Sequence, residues 1–274
     1  MTYNQLVNCN SIYEQWKDQL VDIPENNKIK VAILMDNQGK IPNPELAHLI
    51  PEIYKNFIGF DIVNIQPMIG PQSTLYYTRY KTNELCDIPT NPELEQYSRE
   101  IHAVTRRTQP RILKSEISAS QIADVMLNEI ITDIKNNVGT IKTSKFASIS
   151  KDQVHADISH VSGIIYKKTL RGKANWIMMN PTFALKLAIM SLNTDTCYKL
   201  PSFGTQDVYL MPTFPHNEIL VGCYSEEEML DAYFYCPYNI NILEDSINGD
   251  SILLRTGKHL ATGGHKYYGK IVYA

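Results

Sequence analysis

Seven histidines and five cysteines are the residues of this 274-residue chain best able to hold a metal or attack a substrate. The nearest histidine pair on one expected helix is His155 and His160. Five residues of helix turn side chains about 140° apart, whereas two ligands on one face need a spacing of three or four. A metal site is therefore not expected. Cys9, Cys86, Cys197, Cys223 and Cys236 are odd in number, widely spaced and form no CxxC, which argues against a disulfide framework or a zinc ribbon. Cys223 and Cys236 lie inside the apolar runs VGCY and FYCPY, where a thiol is an inert core residue rather than a nucleophile. Gly257-Lys258 and Gly263-Gly264-His265 lack the glycine spacing of a phosphate-binding loop and read as hairpin turns. The acidic run Glu226-Glu227-Glu228 reads as a solvated face. No catalytic residue and no cofactor is expected.

The basic segment Arg106, Arg107, Arg111 and Lys114, close to Glu116, is different in kind. In a strand, alternate residues share a side, so Lys114 and Glu116 would point together. Two readings stand: a charged hairpin in water, or an arm whose charges pair with another subunit. Tyrosine is over-represented, with 17 Tyr against 7 Phe and 2 Trp. Such rings suit surfaces that are both buried and wet, which fits subunit contacts and equally tyrosines fringing an ordinary core.

The elements that would carry these residues follow from pattern. Residues 1–28 are polar, broken at Pro24 to Asn27, and read as an arm that docks elsewhere. Lys30 to Asp36 (KVAILMD) reads as a strand, and PNPELAHLIPEIYKNF as a helix kinked at Pro51. Phe60 to Gln66 alternates apolar and polar, the mark of a strand open on one face. STLYYTRY (73–80) reads as another strand, and 72–117 as a long hairpin reaching away from the body. Such an excursion is costly unless something covers it. Ser118 caps a helix whose Ile122, Leu127, Ile130, Ile131, Ile134 and Val138 form one face. A loop is expected over 140–150, then a second helix with Val154, Ile158, Val161 and Ile165 inward, stopped at Arg171-Gly172. NWIMMN is a buried strand, Pro181 opens the helix PTFALKLAIMSL, and DVYLMP, EILVGCY, AYFYCPYNINIL and GGHKYYGKIVYA close the chain as short strands.

Length fits one large domain or two small ones. A net charge of −3, from 26 Lys and Arg against 29 Asp and Glu, leaves little field for general nucleic-acid binding. No apolar run suffices to cross a bilayer, and the first twenty residues lack signal-peptide order, so the reading is of a protein neither exported nor membrane-bound.

Four phrases in order resemble the major capsid proteins of tailed phages, of the T-even type. They are Asn56-Phe57-Ile58-Gly59-Phe60-Asp61-Ile62 running on through Gln66-Pro67-Met68 to Gly70-Pro71; Arg111-Ile112-Leu113-Lys114-Ser115-Glu116-Ile117-Ser118; Arg171-Gly172-Lys173-Ala174-Asn175-Trp176-Ile177; and Asp231-Ala232 with Phe234-Tyr235-Cys236-Pro237-Tyr238, followed by Lys266 to Lys270. The resemblance covers about residues 44–274. It implies an α+β fold of the Hong Kong ninety-seven type: an N-terminal arm (1–43), a peripheral domain begun at 44–71, an E-loop (72–112), the peripheral domain with its spine helix (113–150), an axial domain (151–232) and return strands (233–274).

The function so implied is non-enzymatic: self-assembly into hexameric, and also pentameric, capsomers of an icosahedral shell around double-stranded DNA, made in the host cytoplasm and ending in the virion. Partners implied are copies of itself, scaffold, portal, vertex and decoration proteins, and DNA by weak contact. Tyr76, Tyr77, Arg79, Tyr80, Arg106, Arg107 and Arg111 would form the intersubunit face of the E-loop. Residues 81–104 are too few for the extra domain that larger relatives insert there. The part ahead of the matching region is short, so either it is not processed or any scaffold is separate. Ala174 stands where the pattern has glycine. Alternatives are a vertex paralogue, a nanocompartment shell or, from another class, a cysteine- or histidine-dependent hydrolase.

Overall fold

The computed structural model describes residues 3–38, 44–55, 57–80, 99–114, 117–144, 150–170, 172–187, 199–225, 232–243 and 251–273. Helices and sheets are mixed along the chain, an α+β arrangement.

The chain opens with helix α1 (Tyr3–Trp16), a 3₁₀ turn (Lys17–Gln19) and helix α2 (Glu25–Asp36). The strand expected at Lys30 to Asp36 is thus helical. Val31, Ala32, Ile33, Leu34 and Met35 are all buried. A helix enclosed on every side has no polar stripe, so its sequence cannot be told by periodicity from a buried strand. The N-terminal segment docks on its own chain, with Trp16, Leu20 and Ile23 in the main core. Asn37 fastens the end of α2 by donating to the carbonyls of Met68 at 2.7 Å and Tyr238 at 2.9 Å.

Helix α3 (Pro44–Lys55) contains Pro51, as expected. The strand expected over Phe60 to Gln66 is instead a short helix, α4 (Gly59–Ile62), and a two-residue strand, β1 (Asn64–Ile65). Tyr54, Phe57 and Phe60 pack ring on ring with centroids 5.8–6.0 Å apart, and that cluster curls the chain where alternation alone pointed to extension.

Strands β2 (Gln72–Tyr80) and β3 (Arg99–Arg107) form an antiparallel hairpin from Gln72 opposite Arg107 to Tyr80 opposite Arg99. The polar stretch 81–98 lies outside the described residues. Strand β4 (Gln109–Lys114) then leaves the hairpin and pairs with β11 (Ser251–Leu260), so the excursion ends near Thr108 and not at 112 or 117. Together β1, β10 (Tyr233–Leu243), β11 and β4 make a four-stranded sheet in that order.

Helix α5 (Ala119–Asn137) begins at a capping box: Ser118 Oγ accepts from the Gln121 amide, and Gln121 Oε1 accepts from the Ser118 amide. Its buried face, Ile122, Met126, Leu127, Ile130, Ile131 and Ile134, is nearly the expected one. The loop expected after it contains a strand, β5 (Thr140–Ser144). Helix α6 (Lys151–Thr169) starts at Ser150, whose Oγ accepts from the Gln153 amide, and ends at Leu170 in the left-handed region (φ 53°). Strand β6 (Trp176–Met179) and helix α7 (Pro181–Lys186) follow, and 188–198 lie outside the described residues.

Beyond these, β7 (Lys199–Phe203), β8 (Gln206–Leu210), β9 (Glu218–Gly222) and β12 (Tyr268–Tyr273) join β5 and β6 in a six-stranded sheet ordered β5-β12-β9-β6-β8-β7. Gly263 (φ 85°) forms a turn between β11 and β12, whereas Gly257-Lys258 sits within β11 and is not a turn. Glu226 to Asp231 lie outside the described residues.

Candidate assembly surface

Successive residues of β11 face opposite sides of the four-stranded sheet, and each side has its own cover. Toward α5, Lys258 Nζ lies 2.7 Å from Asp133 Oδ2 and 3.5 Å from Glu129 Oε1, while Arg111 of β4 reaches Glu129 at 3.7 Å. Burial works against the Lys258 charge, but the two carboxylates outweigh it and raise its pKa. Tyr233 donates to Asp133 at 2.9 Å; burial first, then that carboxylate, push its phenol far above the ordinary range. Farther along α5, Lys135 pairs with Glu218 of β9 at 2.6 Å and lies over the Phe214 ring. One helix is therefore tied to both sheets.

Toward the hairpin, the next residue along β11, His259, meets Arg106 at 2.7 Å. Leu75 and Tyr77 of β2 bury against Phe234, Cys236, Met68 and Ala261 as a separate small core. Tyr77 stacks on His102, with Phe234 and His259 at its other sides. Arg79 donates to the Thr262 carbonyl at 3.0 Å. The described part of the hairpin thus lies on its own sheet and does not reach away from the body. Its inner side is apolar and aromatic, so leaving it in water would cost more than seating it.

These contacts sort the seven residues expected at an intersubunit face. Tyr77, only 7% exposed, is a core residue of its own chain, a correction to that expectation. Arg79 and Arg106 turn inward to the same sheet, and Arg111 is engaged with α5. Tyr80 closes β2 opposite Arg99. Tyr76, 40% exposed, and Arg107 lie on the outer side, where Arg107 donates to Gln72 at 2.8 Å. Beside them stands Ile101, 75% exposed, which sequence reasoning missed. Strand alternation counted from the buried Leu75 and carried across the pairing to β3 would have found it. Ile69 and Ile112 are also largely exposed near the ends of the hairpin and on the edge strand β4.

The residues carrying the family resemblance are mostly structural joints. Phe60 is in the aromatic cluster, and Asp61 accepts from Tyr209 of β8 at 3.0 Å, joining the two sheets' neighbourhoods. The Gln66 amide donates to the Tyr235 carbonyl, and beyond Pro67 the Met68 amide donates to that of Pro237, extending the parallel β1–β10 contact. Pro237 and Tyr238 lie at a register shift of β10 against β11. Asn175 clamps Tyr224, donating to its carbonyl at 2.7 Å and accepting from its amide at 3.0 Å. Trp176 lies across from Gly222, and Gly172 packs near Cys223 Sγ. Lys114 is exposed opposite Ser251, while Glu116 and Arg171 lie outside the described residues.

His155 and His160 are exposed on α6, and His155 meets the edge of Phe203. Among the described residues no group of three or more His, Cys, Asp or Glu could hold a metal. Cys9, Cys223 and Cys236 are buried free thiols, and burial pushes Cys236 far above its ordinary value, which leaves it protonated. No described helix is long and apolar enough to cross a membrane.

No protein-family model and no curated protein matches the chain. Solved structures similar to it include the capsid of a native GTA particle, 12% identical over 80% of this chain and 96% of that one, with a TM-score of 0.49. The virus-like particle from Pyrococcus furiosus is 8% identical over 81% and 95%, with a TM-score of 0.47. A Microbacterium phage Oxtober96 chain is 10% identical over 79% and 90%, with a TM-score of 0.46.

Proposed function

We propose that this chain is the major capsid protein of a tailed phage, a non-enzymatic subunit that assembles with copies of itself into hexameric and pentameric capsomers of a DNA-containing shell. The T-even type is the family reading that its sequence phrases support. The observation that carries the proposal is the two-sided hairpin. Its inner side is satisfied by its own sheet, while its outer side presents Tyr76, Ile101 and Arg107 to whatever lies beyond. An exposed Ile and an exposed Tyr on one side of a strand pair favour association.

In this reading β2–β3 is the E-loop, α5 the spine helix of a peripheral domain built on the four-stranded sheet, and the six-stranded sheet with α6 the axial domain. The ties from α5 to both sheets would let a neighbour's contact on the hairpin act on the whole subunit. Summed over many copies, weak contacts suffice for a durable shell. Scaffold, portal, vertex and decoration proteins are the further partners this reading carries, and the virion is its site.

The test is the particle size of the purified chain by light scattering and negative-stain electron microscopy, beside Ile101→Asp. Shells, tubes or capsomer rings from the parent, and folded subunits without them from Ile101→Asp, are the expected result. Unaltered assembly of Ile101→Asp would remove the hairpin's outer face from the interface.

A further inference from the structure

The seat of the hairpin contains a contact that works in only one protonation state. Arg106 Nη2 lies 2.7 Å from His259 Nδ1. A guanidinium has donors and no acceptor, so the imidazole must offer a lone pair at Nδ1 and carry its single proton on Nε2. His259 is 9% exposed, and its Nε2 is buried with no hydrogen-bond partner among the described residues. Among the described residues, the groups that face the ring are Arg106 from β3, Tyr77 and Arg79 from β2 with His102 stacked behind Tyr77, and Phe234 from β10. None of these is an acid, so none would compensate a charge on the ring.

We propose that the Arg106–His259 contact is an acid-released latch: a second proton on the ring removes the acceptor of Arg106, sets two cations together and frees the β2–β3 hairpin from the β10–β11 face. The rest of the subunit stays folded, because α5 and the six-stranded sheet hold through other contacts. This inference stands on contacts within one chain and does not rest on the shell reading. Burial first, and then Arg106 and Arg79, lower the pKa of the seated His259 from 6.5 to about 4.

Between 6.5 and about 4 the released histidine binds a proton that the seated one does not, so seating weakens as pH falls through that window and levels off below it. Each unit by which seating lowers the histidine pKa weakens the seating equilibrium tenfold in acid, so about tenfold is the least loss expected.

Hydrogen exchange of the full chain at about pH 7 and about pH 4.5, corrected for intrinsic rates, tests this. Protection of 72–80 and 99–107 should fall at least about tenfold more than that of α5. In His259→Gln the side-chain carbonyl can still accept from Arg106 but cannot titrate, so the hairpin should keep its protection. Arg106→Met leaves the histidine without the nearest cation, and should raise the pKa of His259 read by NMR and shrink the acid effect. Equal acid loss in His259→Gln, parallel loss in hairpin and α5, an unchanged acid effect in Arg106→Met, or titration of His259 at its ordinary value would each overturn the latch.

Discussion

Trp176 of β6 and Gly222 of β9 face each other in register, and a Cβ on Gly222 would run into the indole. Gly222→Ala is therefore expected to cost about 3 kcal/mol, read from the urea midpoint of the folded subunit. At the same place, Asn175 holds both backbone groups of Tyr224. Removing it in Asn175→Ala should cost about 1–2 kcal/mol by the same measurement. Trp176 and Asn175 were legible from the sequence as marks of a strand entry, but Gly222 was not. A glycine inside an apolar run looks like a weak point until its cross-strand partner is known, and that partner lies 46 positions away. Tyr77 shows the reverse failure. Tyrosine suits both a wet interface and a core edge, so residue type alone could not tell which of Tyr76 and Tyr77 points outward. Tyr77→Ala should accordingly destabilise the subunit itself, by about 3 kcal/mol, before any effect on assembly can be read.

Helix α5 was the most legible element, because its cap, its length and its apolar face all agree. Ile130, fully buried on its inner face, should not tolerate charge. Ile130→Asp is expected to leave no folded subunit by circular dichroism, since it buries an unpaired carboxylate. The ion pairs of this helix were not legible, because Glu129 and Asp133 meet residues more than a hundred positions away on β11. The same holds for α2. Its apolar run fits either a strand or an enclosed helix, and the choice is made by Pro24 at its start and by the bodies packed around it. Strands β7 and β11 were missed where polar residues interrupt the apolar pattern.

At the scale of the whole molecule, both sheets are interleaved in sequence. The four-stranded sheet takes strands from 64–65, 109–114, 233–243 and 251–260, and in the six-stranded sheet 268–273 inserts between β5 and β9. Strand order and the coverage of each sheet face could not be read from local pattern, since each depends on pairings across most of the chain. Arg107→Glu, on the outer side of the hairpin, is expected to leave the subunit folded with an unchanged melting temperature while suppressing particles in electron micrographs. The interleaving also acts during synthesis. Strand β4 leaves the ribosome well before β11 exists to pair with it, so the nascent chain carries an unpaired strand through about half of its synthesis. Complete folding must wait for the last strands, and pairings so distant in sequence favour slow folding and long-lived exposed intermediates.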